Sequence, residues 1–275
     1  GKSIIAIGID KGKNTQDRCS KGSKFREKTR MKIFVSSNAI DNDINKVFSF
    51  GNENKLNIEF SSNIKYSKNN IEIFKSYKYS KLTHNYFPAS KIPFVFNLAS
   101  EDNFVRDESL NLCKTNIDLA ADLDLPIFSC HAGFAFDTST KLLGKKFDFK
   151  KRNFINYYNN FESKLDEVLN YAISKNVTLL IENNVTISSN YIDNYSPLFC
   201  SSIKDILLLS NKFCCDNFGI LFDTAHHKVS SQTFGNEIED GLDELYPYIK
   251  GIHHSDNNSL KDTNETIDQN YWWFN

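Results

Sequence analysis

The sequence predicts an α/β fold, a (β/α)8 or TIM barrel that is truncated after its seventh strand. Short apolar runs, rich in β-branched and aromatic residues, alternate with amphipathic segments from Met31 onward, and polar residues recur where the apolar runs end. At 275 residues, 40% hydrophobic and 24% charged, the chain is large enough for one such domain. A doubly wound parallel sheet is the rival fold, but it would gather its reactive residues at one switch point.

Seven segments have the composition of strands that are buried on both faces. They are residues 32–35, 57–60, 81–84, 126–130, 177–181, 218–222 and 249–252. Apolar residues recur at helical spacing in the segments 110–120, 154–172 and 203–210, which are therefore predicted helices. Because 23 residues follow Ile252, too few for another complete β/α unit, we expect the eighth unit to be missing.

The first 30 residues differ in composition from the remainder of the chain. They hold 9 Lys and Arg against 3 Asp and Glu, whereas residues 31–275 are mildly acidic. We expect residues 1–30 to be a disordered basic extension outside the fold, and residues 31–275 to form the barrel domain. An acidic folded part argues against a nucleic-acid partner, since such proteins usually carry a basic surface.

Two further features bear on the class of protein. No apolar run approaches the 18 to 20 residues, roughly, that span a bilayer, which argues against membrane insertion. Six cysteines in a chain of this length are too few for a disulfide scaffold, and none forms a C-x-x-C pair. We therefore expect reduced thiols and a cytoplasmic location.

Residues suited to catalysis collect at the ends of the predicted strands. All six histidines lie at or just past such an end: His84, His131, His226, His227, His253 and His254. Glu59, Glu182, Asp223 and Asp256 fall at equivalent positions. In a TIM barrel these ends converge on the face that holds the active site. For any one histidine a structural role is the alternative, but the placement of the whole set favours a site.

The residue types predict a metal site. Imidazoles and carboxylates without a thiolate suit Mn²⁺, Zn²⁺, Co²⁺ or Mg²⁺. Carboxylates that face one another would also repel in the absence of a cation. A bound divalent ion could polarise a substrate carbonyl and acidify the neighbouring C–H group.

Six motifs resemble the xylose-isomerase-like TIM barrels. They are THNYFP at 83–88, NLAS at 97–100, CHAG at 130–133, LLIENN at 179–184, LFDTAHHKVS at 221–230 and GIHHSDNN at 251–258. This superfamily includes sugar isomerases and epimerases, endonuclease-IV-type AP endonucleases, and sugar-phosphate isomerase/epimerase-like proteins of surface-polysaccharide gene clusters. The last group is the most similar in these motifs.

The resemblance implies roles for particular residues. Glu182, Asp223 and His253 match the family's metal ligands, and the family's fourth ligand, a glutamate on the eighth strand, has no counterpart. Glu182 and His226 are the implied catalytic residues. The expected substrate-binding residues are His84, His131, Glu59, Asn183 and Asp256. For Glu59 a structural ion pair is an equal alternative, and Asp256 could instead orient a ligand histidine or open the following loop.

We therefore expect a divalent-metal-dependent isomerase or epimerase that acts on a sugar or sugar phosphate through a metal-stabilised enediolate or a hydride shift. A homo-oligomer is possible. One alternative is an endonuclease-IV-like zinc phosphodiesterase on abasic DNA. That branch carries an Asp-x-His after its seventh strand, where this chain has Asp262, Thr263 and Asn264, and an amide is a poor zinc ligand. Another alternative is a non-catalytic sugar-binding barrel.

Overall fold

A computed structural model describes residues 4–7, 31–142 and 154–274 of the chain. Eight strands form a closed barrel in sequence order. They are β1 (Ile4–Ile7), β2 (Lys32–Ser36), β3 (Ile58–Ser61), β4 (Lys81–His84), β5 (Ile127–His131), β6 (Thr178–Glu182), β7 (Phe218–Asp223) and β8 (Ile249–His254). Strands β2 to β8 pair in parallel with one another in sequence order, and β1 pairs antiparallel with both β2 and β8.

Helices connect the parallel strands. They are α1 (Ile44–Glu53), α2 (Asn70–Ser76), α3 (Asn103–Ala121), α4 (Phe154–Ser174), α5 (Ile203–Lys212), α6 (Thr224–Phe234) and the single turn α7 (Leu242–Leu245). Several helices begin at a residue whose side chain accepts a hydrogen bond from an N–H group of the first turn. Asp102 does this for α3 and Ser202 for α5. Gly235, with φ of +73°, ends α6 in the left-handed conformation.

The predicted fold class is confirmed: seven parallel strands alternate with helices, and no eighth parallel strand occurs among the described residues. The strand positions agree with the prediction to within two residues at each end. Helices α3, α4 and α5 include the three predicted amphipathic segments.

The structure differs from the sequence prediction at Ile4–Ile7. This short apolar run lies in the barrel between β2 and β8, although residues 1–30 were expected outside the fold. The physical reason is that two open sheet edges offer unpaired backbone groups, which any short β-branched segment can satisfy. Residues 8–30 lie outside the described part of the chain, so for them the expectation stays a prediction.

The core has two parts because side chains alternate between the two faces of each strand. In β6, Leu179 and Ile181 face outward and pack under the helices in the larger cluster. Leu180 faces into the barrel and belongs to an inner apolar cluster. The members of this inner cluster are Phe34, Leu82, Leu125, Ile127, Leu180 and Leu221. These residues fill the lower part of the barrel, and the residues that follow them on the same face point towards its C-terminal mouth.

Two other sequence expectations can be compared with the structure. Cys113, Cys130, Cys200 and Cys215 are free thiols, but Cys214 is disulfide-bonded, which differs from the prediction of reduced thiols throughout. Of the helices in the described ranges, none is both long enough and apolar enough to cross a bilayer.

Candidate metal centre at the barrel mouth

The polar residues of the candidate site stand one pleat above the inner apolar cluster. On β4 the inward-facing Leu82 is followed two residues later by His84, and on β6 Leu180 is followed by Glu182. Asp223 follows Leu221 on β7 in the same way. Because side chains two residues apart on a strand share a face, the strands that bury the apolar cluster also bring these polar groups together.

Glu182 lies at the centre of the cluster and is only 1% exposed. Its Oε1 atom is 2.9 Å from Nδ1 of His253. Its Oε2 atom is 2.9 Å from Nε2 of His84 and 3.4 Å from Nε2 of His131. The β5/β6 register sets His131 opposite Glu182, and the β7/β8 register sets Asp223 opposite His253.

Three overlapping groups of side chains could hold a cation. They are Glu182, Asp223 and His253; His84, His131 and Glu182; and Glu59, His84 and His253. Within each group the possible ligand atoms all lie within 4.8 Å of one another. Glu182 Oε2 is buried and accepts no well-formed hydrogen bond among the described residues, although the Nε2 atoms of His84 and His131 lie 2.9 and 3.4 Å away. Its lone pairs are therefore open to a cation. These nitrogen and oxygen donors therefore fit a divalent ion.

Asp223 has a second structural task. It is the residue before α6, and its Oδ1 accepts a hydrogen bond from the backbone N–H of His226 at 2.8 Å. Its Oδ2 lies 3.6 Å from Nδ1 of His253. One carboxylate oxygen therefore caps the helix and fixes the direction of the side chain. The other oxygen faces the cluster and stays available as a metal ligand.

Electrostatic interactions within the cluster separate the protonation states of its members. Burial alone would raise the pKa of Glu182, but His131, His253 and His84 hold this pKa well below 4.5. Burial alone would lower the pKa of His253, but the carboxylates of Glu182 and Glu59 raise it well above 6.5. Near neutral pH the metal-free cluster therefore holds an ionised Glu182 against a protonated His253.

His226 and His131 have opposite protonation behaviour. Burial disfavours the charged form of His226, yet Asp223 and Asp262 raise its pKa to about 10. Desolvation lowers the pKa of His131 to about 4, so this ring is neutral at pH 7. The side chain of His131 is 33% exposed, but its Nδ1 atom is buried and has no hydrogen-bond partner among the described residues.

Asp262 is a site residue that the sequence reasoning did not assign. Its Oδ2 lies 3.3 Å from Nε2 of His226, while Nδ1 of the same ring hydrogen-bonds to the backbone carbonyl of Asn183 at 2.8 Å. The sequence carries a signal for this residue, since Asp262 is the aspartate of an incomplete Asp-x-His in which Asn264 stands in place of the histidine.

The remaining predicted residues are divided between the cluster and its surroundings. Glu59 is buried within the cluster, and its Oε1 lies 3.3 Å from Nε2 of His253. The Asn183 amide instead bonds both the N–H and the carbonyl of Asp223, so it ties β6 to β7. Asp256 forms an ion pair of 2.6 Å with Lys228 and belongs to none of the three groups of possible ligands.

Two histidines that adjoin the cluster in sequence point away from it. Nε2 of His227 lies 2.7 Å from the carbonyl of Ile238, and Nδ1 of His254 lies 3.0 Å from the Tyr271 hydroxyl. The choice of His226 over His227 and of His253 over His254 therefore agrees with the geometry. The roles assigned to these residues stay predictions.

Comparison with solved structures supports the barrel assignment. A D-tagatose 3-epimerase-like protein superposes with a TM-score of 0.60 at 18% identity, covering 82% of this chain and 78% of that one. The 3-keto-D-glucoside 4-epimerase YcjR from E. coli superposes with a TM-score of 0.51 at 9% identity, covering 76% and 73%. At these identities the similarity shows the fold. Among curated proteins, no sequence matches this chain significantly.

The sequence itself matches a family model over most of its length. The model describes a xylose isomerase-like TIM barrel and matches residues 66–274. This range includes all the cluster residues named above except Glu59. The resemblance inferred from the six motifs is confirmed, and the chain belongs to the xylose isomerase-like TIM-barrel family.

Proposed function

We propose that this protein is a divalent-metal-dependent isomerase or epimerase of a sugar or sugar phosphate. The observation that carries the proposal is the convergence of Glu182, Asp223 and His253, whose possible ligand atoms lie within 4.8 Å of one another at the barrel mouth. Family membership and the sugar epimerases among the structural neighbours support the same reaction class. TIM-barrel enzymes place their active sites at this end of the barrel.

The three ligand candidates would hold the ion through two carboxylates and one imidazole. Such an ion would polarise a substrate carbonyl and acidify the C–H group beside it. The ligands are held from below by β6, β7 and β8, and the helix cap at Asp223 fixes one of the carboxylates further. A rigid set of this kind costs little reorganisation when substrate binds.

Glu182 and His226 are the proposed proton-transfer groups. Glu182 is ionised at neutral pH, and its Oε2 atom accepts no well-formed hydrogen bond among the described residues, so it can take a proton from a substrate carbon. His226 is held between the Asn183 carbonyl and the Asp262 carboxylate. This arrangement keeps a proton on its ring, and a substrate oxygen that replaced Asp262 at Nε2 would receive it.

His84 and His131 would bind substrate hydroxyl groups. Their rings lie 5.5 Å apart on adjacent strands, above Glu182. The His131 ring is neutral at pH 7 and offers one donor and one acceptor, as a hydroxyl does. Binding of a sugar by such groups would orient its carbonyl towards the ligand set.

The test is metal binding followed by turnover. Metal-free protein is titrated with MnCl2, CoCl2 or ZnCl2 by calorimetry, and the loaded protein is then incubated in D2O with a panel of ketoses, aldoses and their phosphates. Product formation by NMR is the expected result. Deuterium on the product carbon would indicate proton transfer, and its absence a hydride shift. Absence of metal binding, or of turnover across the panel, would contradict the proposal.

Matched variants identify the site responsible. Glu182→Gln should lose turnover, while Glu167→Gln on α4, a glutamate paired with surface lysines, should retain it. Turnover that survives Glu182→Gln would place the activity elsewhere. The alternative of a non-catalytic sugar-binding barrel predicts sugar binding without turnover in every variant.

One observation favours a second candidate, an endonuclease-IV-like phosphodiesterase. Asp262 and His226 approach to 3.3 Å, as a third metal site would require, although Asn264 supplies an amide that contacts Ser255 and Asp262. Zinc-dependent cleavage of an abasic-site oligonucleotide, abolished by Glu182→Gln, would support this alternative. We expect no cleavage.

A further inference from the structure

We infer that Glu59 is a positioning residue for His253: it holds the ring so that Nδ1 faces the metal ligands. This inference rests on the proposed metal centre and gives Glu59 a role outside the ligand group of Glu182, Asp223 and His253. It also replaces the expected role of Glu59 as a substrate-binding residue.

The two nitrogens of the His253 ring face different partners. Nδ1 lies 2.9 Å from Glu182 Oε1 and 3.6 Å from Asp223 Oδ2, so it points into the ligand group. Nε2 lies 3.3 Å from Glu59 Oε1. The ring therefore stands between Glu59 and the other two carboxylates, and an ion bound through Nδ1 would not reach Glu59.

The His253 ring needs a hydrogen-bond acceptor at Nε2 when it binds an ion through Nδ1. A neutral imidazole that binds an ion through Nδ1 carries its remaining proton on Nε2. His253 is buried, and a buried N–H group without an acceptor is costly. Glu59 is 2% exposed and is the described carboxylate on that side of the ring. Such a pairing fixes the tautomer and makes the ligand more basic.

The other imidazole near Glu59 is already satisfied. His84 Nδ1 lies 4.0 Å from Glu59 Oε1, beyond hydrogen-bond distance, and lies 3.0 Å from the Ser129 hydroxyl. Of the ring nitrogens in the described residues, only that of His253 lies within hydrogen-bond distance of Glu59. The geometry therefore assigns this carboxylate to His253.

The test measures Co²⁺ affinity and the visible spectrum of the bound ion in the full chain. Glu59→Leu removes the acceptor, and Glu59→Gln keeps an acceptor oxygen without the charge. Loss of an acceptor behind a ligand histidine typically lowers metal affinity about 10- to 100-fold. We expect Glu59→Leu to lose this much and Glu59→Gln to lose less. Both should keep the number of ligands that the Co²⁺ band intensities of the unchanged protein report.

A charge-matched control separates positioning from general electrostatics. Asp262→Asn removes one negative charge at the same mouth but contacts His226, not His253. An equal loss of affinity in Asp262→Asn and Glu59→Gln, or affinity within about threefold of the unchanged protein in Glu59→Leu, would overturn the inference. Band intensities that report one ligand fewer in both Glu59 variants would also overturn it, because they would make Glu59 a direct ligand.

The result also separates this inference from the proposed function. If the unchanged protein binds Co²⁺ and the Glu59 variants bind it equally well, the metal centre stands and the role of Glu59 falls. If the unchanged protein binds no Co²⁺, both fall together. If Glu59→Leu does not fold, as judged by circular dichroism, the nearly isosteric Glu59→Gln decides between positioning and no role.

Discussion

The inside of the barrel contains two layers that the same strands build but that have opposite character. The lower layer is the inner apolar cluster, in which Leu82, Leu180 and Leu221 meet. The upper layer, two residues further along each strand, contains His84, Glu182 and Asp223 in the same order. The comparison indicates a division of work: the lower layer stabilises the barrel, and the upper layer brings charged groups together for an ion at a cost in stability.

The largest expected effect is that of Glu182→Gln in the upper layer. It removes a metal ligand and a proton acceptor at once. Turnover should therefore fall at least about 10²- to 10⁴-fold, the loss typical when a catalytic acid or base is removed. The metal affinity should fall with it. Calorimetry measures the metal affinity, and the D2O assay measures turnover. A variant that keeps its metal affinity would contradict the proposed difference between the two layers.

Leu180→Ala tests the layer below on the same strand. Leu180 is completely buried, and truncating a core leucine costs about 2–5 kcal/mol of unfolding free energy. The affinity for Co²⁺ at a temperature where the variant is folded should stay within a few fold of the unchanged value. Urea unfolding measures the first quantity and calorimetry the second. A large loss of affinity with little loss of stability would reverse the roles of the two layers.

Asp262→Asn tests a pH effect within the upper layer. The pKa of His226 is raised to about 10, so its contribution to stability is complete below pH 6.5 and is lost as the pH rises towards 10. Because Asp262 is one of three carboxylates that raise this pKa, with Asp223 and Glu182, the variant should lower it. Each unit of pKa corresponds to about 1.4 kcal/mol.

The measurement is an NMR titration of His226, with melting temperatures at pH 6 and pH 10. The stability difference between the two pH values should be smaller in the variant than in the unchanged protein. An unchanged His226 pKa would show that Asp223 and Glu182 set it without Asp262.

The smallest effect is expected for Glu167→Gln, outside both layers. Glu167 pairs with Lys114 and Lys164 at 2.7 and 3.0 Å on the helix surface. Exposed pairs of this kind contribute about 0–1 kcal/mol. These lysines hold the pKa of Glu167 below 4.5, so any contribution is present above pH 4.5 and is lost as the pH falls. A cost above about 1 kcal/mol in urea unfolding would contradict this view.

Much of the fold could be predicted because each strand carries its own signal. In β6 a run of apolar residues ends in Glu182, and in β7 a similar run ends in Asp223, which also opens a helix. These patterns are local, so the sequence alone locates them. The carboxyl ends of the strands in a TIM barrel converge on one face of the barrel. This general rule places Glu182, Asp223 and His253 in one predicted site.

The missed features depend on contacts that no local pattern reveals. Ile4–Ile7 joins the sheet through backbone hydrogen bonds to distant strands, and four apolar residues in a basic segment do not predict a partner. Asp262 meets His226 across 36 positions of sequence, so its place depends on the path of the loop after β8. Asn183 was expected at the substrate, but its amide bonds to the backbone of Asp223.

The antiparallel strand β1 has a consequence for protein production. It covers the backbone of β2 on one side and that of β8 on the other. A shortened protein that started at Met31 would present both strands to solvent with their N–H and C=O groups unpaired, which is the template on which sheets of separate molecules join. We expect that shortened form to associate and precipitate during purification, and a preparation of residues 1–275 to stay dispersed.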